Sequence, residues 1–207
     1  MIKLKELLSL REMVYTHQVK PKHKDKMNRE TKILEHNTFA TLQPPPDNDS
    51  NTTLNEINKL AKIEPDKKRV ERGDDVKKLF YPLIKEIKSV DKEHIDLLIK
   101  DSAKYIFKLK YQYNRPRPYQ VAEFYDIDLN GTQLDSMKTP SYPSGHAVQG
   151  YLVAELLSHA DPRNSREYRS VGERIAHSRI IGKAHYPSDK HFGKKVANVL
   201  FQGLINK

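Results

Sequence analysis

The chain has 207 residues, 37 Lys and Arg against 27 Asp and Glu for a formal net charge of +10, and no Cys. That length fits one domain; without Cys there is no disulfide scaffold, thiol catalysis or thiolate zinc site; and no apolar run approaches the roughly 18 residues of a membrane-spanning helix. The basic balance favours an anionic partner without choosing among nucleic acid, an acidic membrane surface and small phosphorylated molecules.

Leu4, Leu7 and Leu8, with the Met13-Val14-Tyr15 cluster, have the spacing of one short amphipathic helix. Lys20-Pro-Lys-His-Lys-Asp-Lys26 is a basic run with little to bury, read either as a solvated arm or as an anion-binding patch. Residues 1–38 are therefore set apart as an N-terminal helical and basic extension of a 39–207 domain. The opening segment lacks a signal-peptide core, so a soluble, cytoplasmic chain is expected, an exported form staying open if a leader is missing.

Leu42-Gln-Pro-Pro-Pro46 is rigid and extended, and Asp47-Asn-Asp-Ser50 supplies turn chemistry after it. Helical periodicity then dominates: Leu54, Ile57, Leu60 and Ala61; then Val76, Leu79, Phe80, Leu83, Ile84 and Ile87; then Ile95, Leu98, Ile99, Ala103, Ile106 and Phe107. The last stripe places Lys108 and Lys110 at a helix C-terminus, where cations are favoured. From Asn114 to Ser144 the pattern fails, and a connection of that length tends to be functional or to hold small elements of its own. Helical spacing returns after Ser144 (Ala147, Tyr151, Ala154, Leu157), around Val171 and Ile175, and after Pro187 (Phe192, Val196, Val199, Leu200). No hairpin signal, internal repeat or Gly-rich nucleotide loop interrupts this pattern, so the fold class is all-α.

Three segments gather chemistry. Lys110-Tyr-Gln-Tyr-Asn-Arg-Pro-Arg-Pro118 crowds cations between a helix end and a Pro-rigid turn, an arrangement that an anion would relieve. In Pro140-Ser-Tyr-Pro-Ser-Gly-His146, Ser144 suits an N-cap, Gly145 permits close backbone approach, and the free N–H groups of a helix start form an anion cradle beside His146. In Ser178-Arg179-Ile-Ile-Gly-Lys-Ala-His185-Tyr-Pro-Ser-Asp189, Arg179 continues the apolar Val171–Ile175 stripe and needs a partner. Pro187 suits the first helical position, which puts His185 at the helix entrance and Asp189 about one turn in. That Asp either stabilises the helix start or holds the His185 imidazole and sets its tautomer.

In this order and spacing the three segments resemble the signature of the phosphatidic-acid-phosphatase type 2 superfamily, which includes vanadium haloperoxidases. The likeness is greatest to bacterial class A non-specific acid phosphatases, whose N-terminal segment Leu42–Pro46 is also similar to. It covers roughly residues 39–205 and implies a single-domain helical bundle of that type, acting as a metal-independent phosphomonoesterase on small phosphorylated metabolites or nucleotides. The resemblance assigns His185 as the nucleophile of a phosphohistidine intermediate, His146 as general acid and base, and Asp189 as the partner of His185. Lys110, Arg117, Ser144, Gly145 and Arg179 would grip the phosphate. Lys108 with Arg115 satisfies the first motif as well as Lys110 with Arg117; the second register is preferred because Tyr113, Arg115 and Tyr119 then also match, leaving Arg115 a neighbour.

No cofactor is expected, though vanadate would be an inhibitor or, in a haloperoxidase on the same site, the prosthetic group. A metal held by His185, Asp189 and His191 is disfavoured because the surrounding cations would repel it. A third reading, a basic module binding nucleic acid or an anionic surface, leaves the ordered His and Asp positions without a purpose and lacks a recognition element of known type. His17, His23 and His36 fall in the polar extension, and His94 and His159 at helix-surface positions. The partner is a small phosphorylated substrate, with a homo-oligomer left open.

Overall fold

A computed structural model describes residues 4–15, 19–34, 39 and 42–206, with side chains from residue 8 onward. Every regular element among the described residues is helical: α1 (Leu4–Arg11), α2 (Pro21–Asn28), α3 (Asn51–Ala61), α4 (Lys67–Arg72), α5 (Val76–Phe80), α6 (Lys92–Tyr113), α7 (Pro118–Phe124), α8 (Gly145–Ala160), α9 (Ser165–Ile181) and α10 (Pro187–Ile205). None is long and apolar enough to cross a membrane.

α8 is the centre of the bundle. It is apolar nearly all round, with Val148, Leu152, Val153 and Leu157 fully buried, as befits a helix covered on every side. α9, α10 and α6 pack around it. The α8–α9 crossing is so close that a Cβ on Gly172 would lie 2.8 Å from the Gly150 carbonyl oxygen, and one on Gly193 of α10 would lie 2.9 Å from Ala147 Cβ. Small residues at these crossings let the three helices pack closely. A second apolar cluster joins Leu10, Ile57, Leu60, Val121, Ala122, Ile180 and Tyr186.

One stripe differs from expectation. The stripe from Val76 to Ile87 is not one helix: α5 stops at Phe80 and Tyr81–Ile84 form a 3-10 turn, because Pro82 brings no N–H to an α-helical ladder. The 114–144 connection holds small elements of its own, as its length suggested: α7 and a 3-10 turn at Asp135–Met137.

The basic run near the N-terminus folds onto the body. α2 lies along α6, where His23 is buried, stacks on Phe107 at a centroid distance of 4.5 Å, and has Nδ1 2.7 Å from the Tyr111 hydroxyl. Burial and the neighbouring lysines push the His23 pKa down to about 4. Beyond α2, one carboxylate oxygen of buried Asp101 accepts the N–H groups of Lys32, Ile33 and Leu34 at 2.7, 2.8 and 3.3 Å. At the other end, Asn48 Nδ2 donates to the carbonyls of Leu10 and Met13. Leu8 is exposed while Leu10 and Tyr15 are buried; the side chains of Leu4 and Leu7, and residues His17 and His36, lie outside the described residues.

Candidate active site

The C-termini of α6 and α9 meet the N-termini of α8 and α10 at one end of the bundle. α6 ends at Asn114 in the left-handed region (φ 47°), turning the chain so that Arg115 and Arg117 point back toward α10. Ser144 caps α8, its Oγ 3.4 Å from Ala147 N, and its own N–H donates to the Asp189 carbonyl at 3.2 Å, which ties the starts of α8 and α10 together. The first N–H groups of α8, at Gly145 and His146, precede its helical ladder and leave the positive end of the dipole at the site.

α10 starts at Pro187, which places Asp189 at its third position with His185 just before it. Asp189 does both things open to it: Oδ2 accepts the Tyr186 N–H at 3.0 Å at the helix start, and lies 3.0 Å from His185 Nδ1. The same oxygen accepts the Ser141 hydroxyl at 2.5 Å, while Oδ1 takes Arg115 Nη1 at 2.7 Å. Burial alone would raise the Asp189 pKa, but Arg115, His185 and Ser141 together hold it far below the usual carboxylate range. It is therefore a fixed anion.

The tautomer of His185 follows from its neighbours. Arg117 Nη1 lies 3.0 Å from Nε2 and can only donate, so Nε2 is the acceptor and the ring proton sits on Nδ1, facing Asp189. Burial first, and Arg117 second, drive the pKa of His185 well below the ordinary imidazole value. The ring is neutral, with a lone pair on Nε2.

Lys110 is buried and its Nζ donates to the carbonyls of Pro140 and Ser141 at 2.5 and 3.3 Å; burial, then Arg117, pulls its pKa well down. Lys108, its rival in the first motif, is exposed. Arg117 is fully buried and spends every N–H inside the protein: on the Thr139 carbonyl and hydroxyl, the Ser136 and Ala184 carbonyls, and His185. Burial lowers its pKa to about 10. Arg115 instead faces Glu56 (3.3 Å) and Ser188 (2.7 Å) as well as Asp189, its guanidinium 3.8 Å above the Tyr186 ring.

Arg179 comes from the end of α9 and is fully buried. Its Nη1 donates to Asp74 Oδ1 at 2.6 Å, Nη2 to the Val70 carbonyl at 2.7 Å and Nε to Ser178 Oγ at 3.1 Å. His146 Nε2 lies 3.0 Å from the Asp74 carbonyl and 3.5 Å from its carboxylate. Burial, then Arg179, lowers the His146 pKa to about 4 against the opposing pull of Asp74. Asp74 reaches this position because Gly73 before it has no side chain: a Cβ there would collide with Ser178.

The geometry thus draws His185, His146, Asp189, Lys110, Arg117, Ser144, Gly145 and Arg179 into one end of the bundle. Glu56, Asp74 and Thr139 join them unannounced by the motifs, and Ser141, which lies inside the second motif, joins them with no role assigned to it there. Glu56 had a visible signal, as a carboxylate within the buried Thr53, Ile57, Leu60 face of α3. Asp74 had none beyond a turn-forming Gly-Asp-Asp. Among the described residues no group of three or more His, Asp or Glu is arranged to hold a metal ion.

A family model described as the PAP2 superfamily matches residues 98–203. A non-specific acid phosphatase of Salmonella typhimurium is 42% identical over 67 residues, 32% of this chain and 27% of that protein. One from Providencia stuartii is 34% identical over 91 residues, 43% of this chain and 36% of that protein. The matches thus span about a quarter to a third of these relatives' length. A bacterial vanadium-dependent iodoperoxidase superposes with a TM-score of 0.62 at 18% identity, over 80% of this chain and 52% of that one. A transmembrane phosphatidylglycerolphosphate phosphatase from Bacillus subtilis does so with a TM-score of 0.50 at 18% identity, over 76% and 86%. Likeness at that identity shows a shared helical fold.

Proposed function

We propose that this chain, which belongs to the PAP2 superfamily, is a phosphoric monoester hydrolase that works through a phosphohistidine on His185. The observation that carries this reading is the ordered line Asp189, His185, Arg117: one imidazole nitrogen is held by a fixed anion and the other presents a lone pair to a cation. The acid phosphatase relatives support the same activity class.

Arg117 caps the His185 lone pair at rest. A phosphoryl oxygen that takes over this N–H frees Nε2 and brings phosphorus within its reach, so substrate binding and activation of the nucleophile are one event. Lys110, Arg179 and the first N–H groups of α8 supply further donors around the phosphoryl oxygens, where charge shifts during transfer. Nε2 attacks phosphorus as the bond to the leaving oxygen breaks. The ring becomes a cation, and Asp189 stabilises it through Nδ1–H. His146, held at Nε2 by the Asp74 carbonyl, gives the leaving alkoxide a proton from Nδ1. Water then attacks the phosphohistidine while His146 recovers the proton, and inorganic phosphate leaves.

Orthovanadate carries oxygens of the same kind as phosphate and fits the same donors; when bound with peroxide it supplies halide oxidation. The test is a phosphate-ester panel assayed with chelator present, with and without orthovanadate, and acid–base stability of any enzyme-bound phosphate. Hydrolysis, vanadate inhibition, and an acid-labile, base-stable phosphate lost in His185→Ala together with turnover, on the order of 10⁴-fold, are expected. Normal turnover by His185→Ala overturns the reading, and halide oxidation without ester hydrolysis replaces it.

A further inference from the structure

A cavity of about 330 Å³ lies between the N-terminal extension and the loop after α7, walled in part by Tyr15, Tyr119, Leu134, Met137, Lys138 and Lys183. None of these groups takes part in the scheme above. The volume is that of a small-molecule site, which is mostly apolar with a few placed polar groups. Tyr15 and Tyr119 supply aromatic surface, and Leu134 and Met137 adaptable apolar surface, together suited to a flat ring.

Charge narrows the occupant further. Lys183 is only 3% exposed, and its Nζ meets the Leu129 carbonyl rather than a carboxylate. A buried ammonium is costly without a counter-ion. Lys183 also holds a left-handed backbone (φ 55°), uncommon for a residue other than Gly, Asn or Asp, so the turn is constrained to aim this side chain at the cavity wall. Lys138, on the cavity wall, is exposed and already paired with Asp135, which leaves Lys183 as the cation to meet an occupant.

We propose that this cavity is a second ligand site, distinct from the phosphate site, for a planar aromatic molecule bearing an anionic group, as in a nucleoside monophosphate. The ring lies against Tyr15 and Tyr119, and the anion meets Lys183. The site borders the catalytic centre on its Arg117 side. The segment that walls it continues into the Ser136 and Thr139 carbonyls that hold Arg117, each at 2.7 Å, and Lys183 is two residues from His185. An occupant therefore presses on the backbone that sets Arg117.

The test is calorimetric titration of the full chain with adenosine 5′-monophosphate in saturating orthovanadate, which fills the phosphate site. Adenosine and inorganic phosphate serve as separate arms. One saturable site is expected, weakened at least tenfold in Leu134→Trp, which fills the cavity, and in Lys183→Met, with the melting temperature of Leu134→Trp unchanged. Tyr119→Ala, at a partly exposed wall position, gives a second reading of the same loss without a packing change. No saturable binding under vanadate, or equal binding by all three variants, overturns the proposal. Adenosine binding as tightly as the monophosphate overturns the anionic requirement, and phosphate alone binding as tightly overturns the aromatic one. If the chain neither hydrolyses esters nor binds vanadate, the phosphatase reading fails, while the Leu134→Trp comparison still decides the cavity.

Discussion

Asp74 carries two groups of the site at once. Its carboxylate holds Arg179 at 2.6 Å, and its carbonyl takes the Nε2–H of His146 at 3.0 Å. It also raises a His146 pKa that burial and Arg179 depress to about 4. Asp74→Asn removes the charge and keeps the shape. Because the profile of kcat/KM reports the free enzyme, activity that needs protonated His146 falls as pH rises past that value. Loss of the raising carboxylate moves this alkaline limb to lower pH. Loss of the Arg179 anchor lowers kcat/KM about 10- to 100-fold, the scale of a small misplacement of a reacting group. The limb is measured most cleanly on an alkyl phosphate; a nitrophenyl ester, whose leaving group needs little help, responds less. An unchanged limb on the alkyl ester would show that His146 is not the acid. The three motifs expose the residues whose neighbours are close in sequence, such as His185 with Asp189. Asp74 stays hidden because it meets its partners across more than 70 residues, and an isolated carboxylate at a turn looks like any other.

Long helices were legible for the same reason that they are stable: α6, α8, α9 and α10 each repeat an apolar face over four turns or more. Short elements were not. Pro82 splits the Val76–Ile87 stripe, and α2 has too few apolar residues to show any periodicity, yet it folds because His23 finds a slot between Phe107 and Tyr111 of α6. A histidine in a lysine-rich run reads as solvated until the helix beneath it is known. The segment after α2 is tied by a single carboxylate. Asp101→Ala strips the acceptor from three backbone N–H groups, and roughly 2–4 kcal/mol of stability goes with it, allowing for partial rehydration. Asp101→Asn keeps one acceptor oxygen and loses about half as much. Urea unfolding measures both, and kcat of the folded fraction stays near the parent value, since Asp101 touches no group of the site. A parent-like urea midpoint for Asp101→Ala would show that the segment is not anchored there.

Among the described residues, the molecule holds buried cations that no carboxylate pairs with directly. Arg115 and Arg179 meet Glu56, Asp189 and Asp74, but Lys110 and Arg117 rest on carbonyls, hydroxyls and a neutral imidazole. The folded protein is thus less stable than its packing allows until an anion arrives. Acidification adds to the load. His23 and His146 take protons near pH 6.5 when unfolded and only near pH 4 when folded. Between those values the unfolded chain binds more protons, so stability rises with pH across that window and is lost on acidification through it. The shift at buried His23 alone corresponds to about 3 kcal/mol at its full extent. His23→Phe keeps the stack on Phe107 and cannot titrate, so its urea midpoint falls less than the parent's between pH 7 and pH 4.5. Phosphate works in the opposite direction: at 100 times its Kd it adds about 2.7 kcal/mol. Lys110→Met separates these effects. Replacing a buried ammonium with an apolar chain of similar length raises the melting temperature in phosphate-free buffer, because the desolvation cost disappears. The same change abolishes turnover and most of the stabilisation by phosphate, because a donor meant for the anion is gone. A Lys110→Met protein that melts lower without phosphate, or gains as much from phosphate as the parent, would mean that Lys110 serves the fold and not the anion.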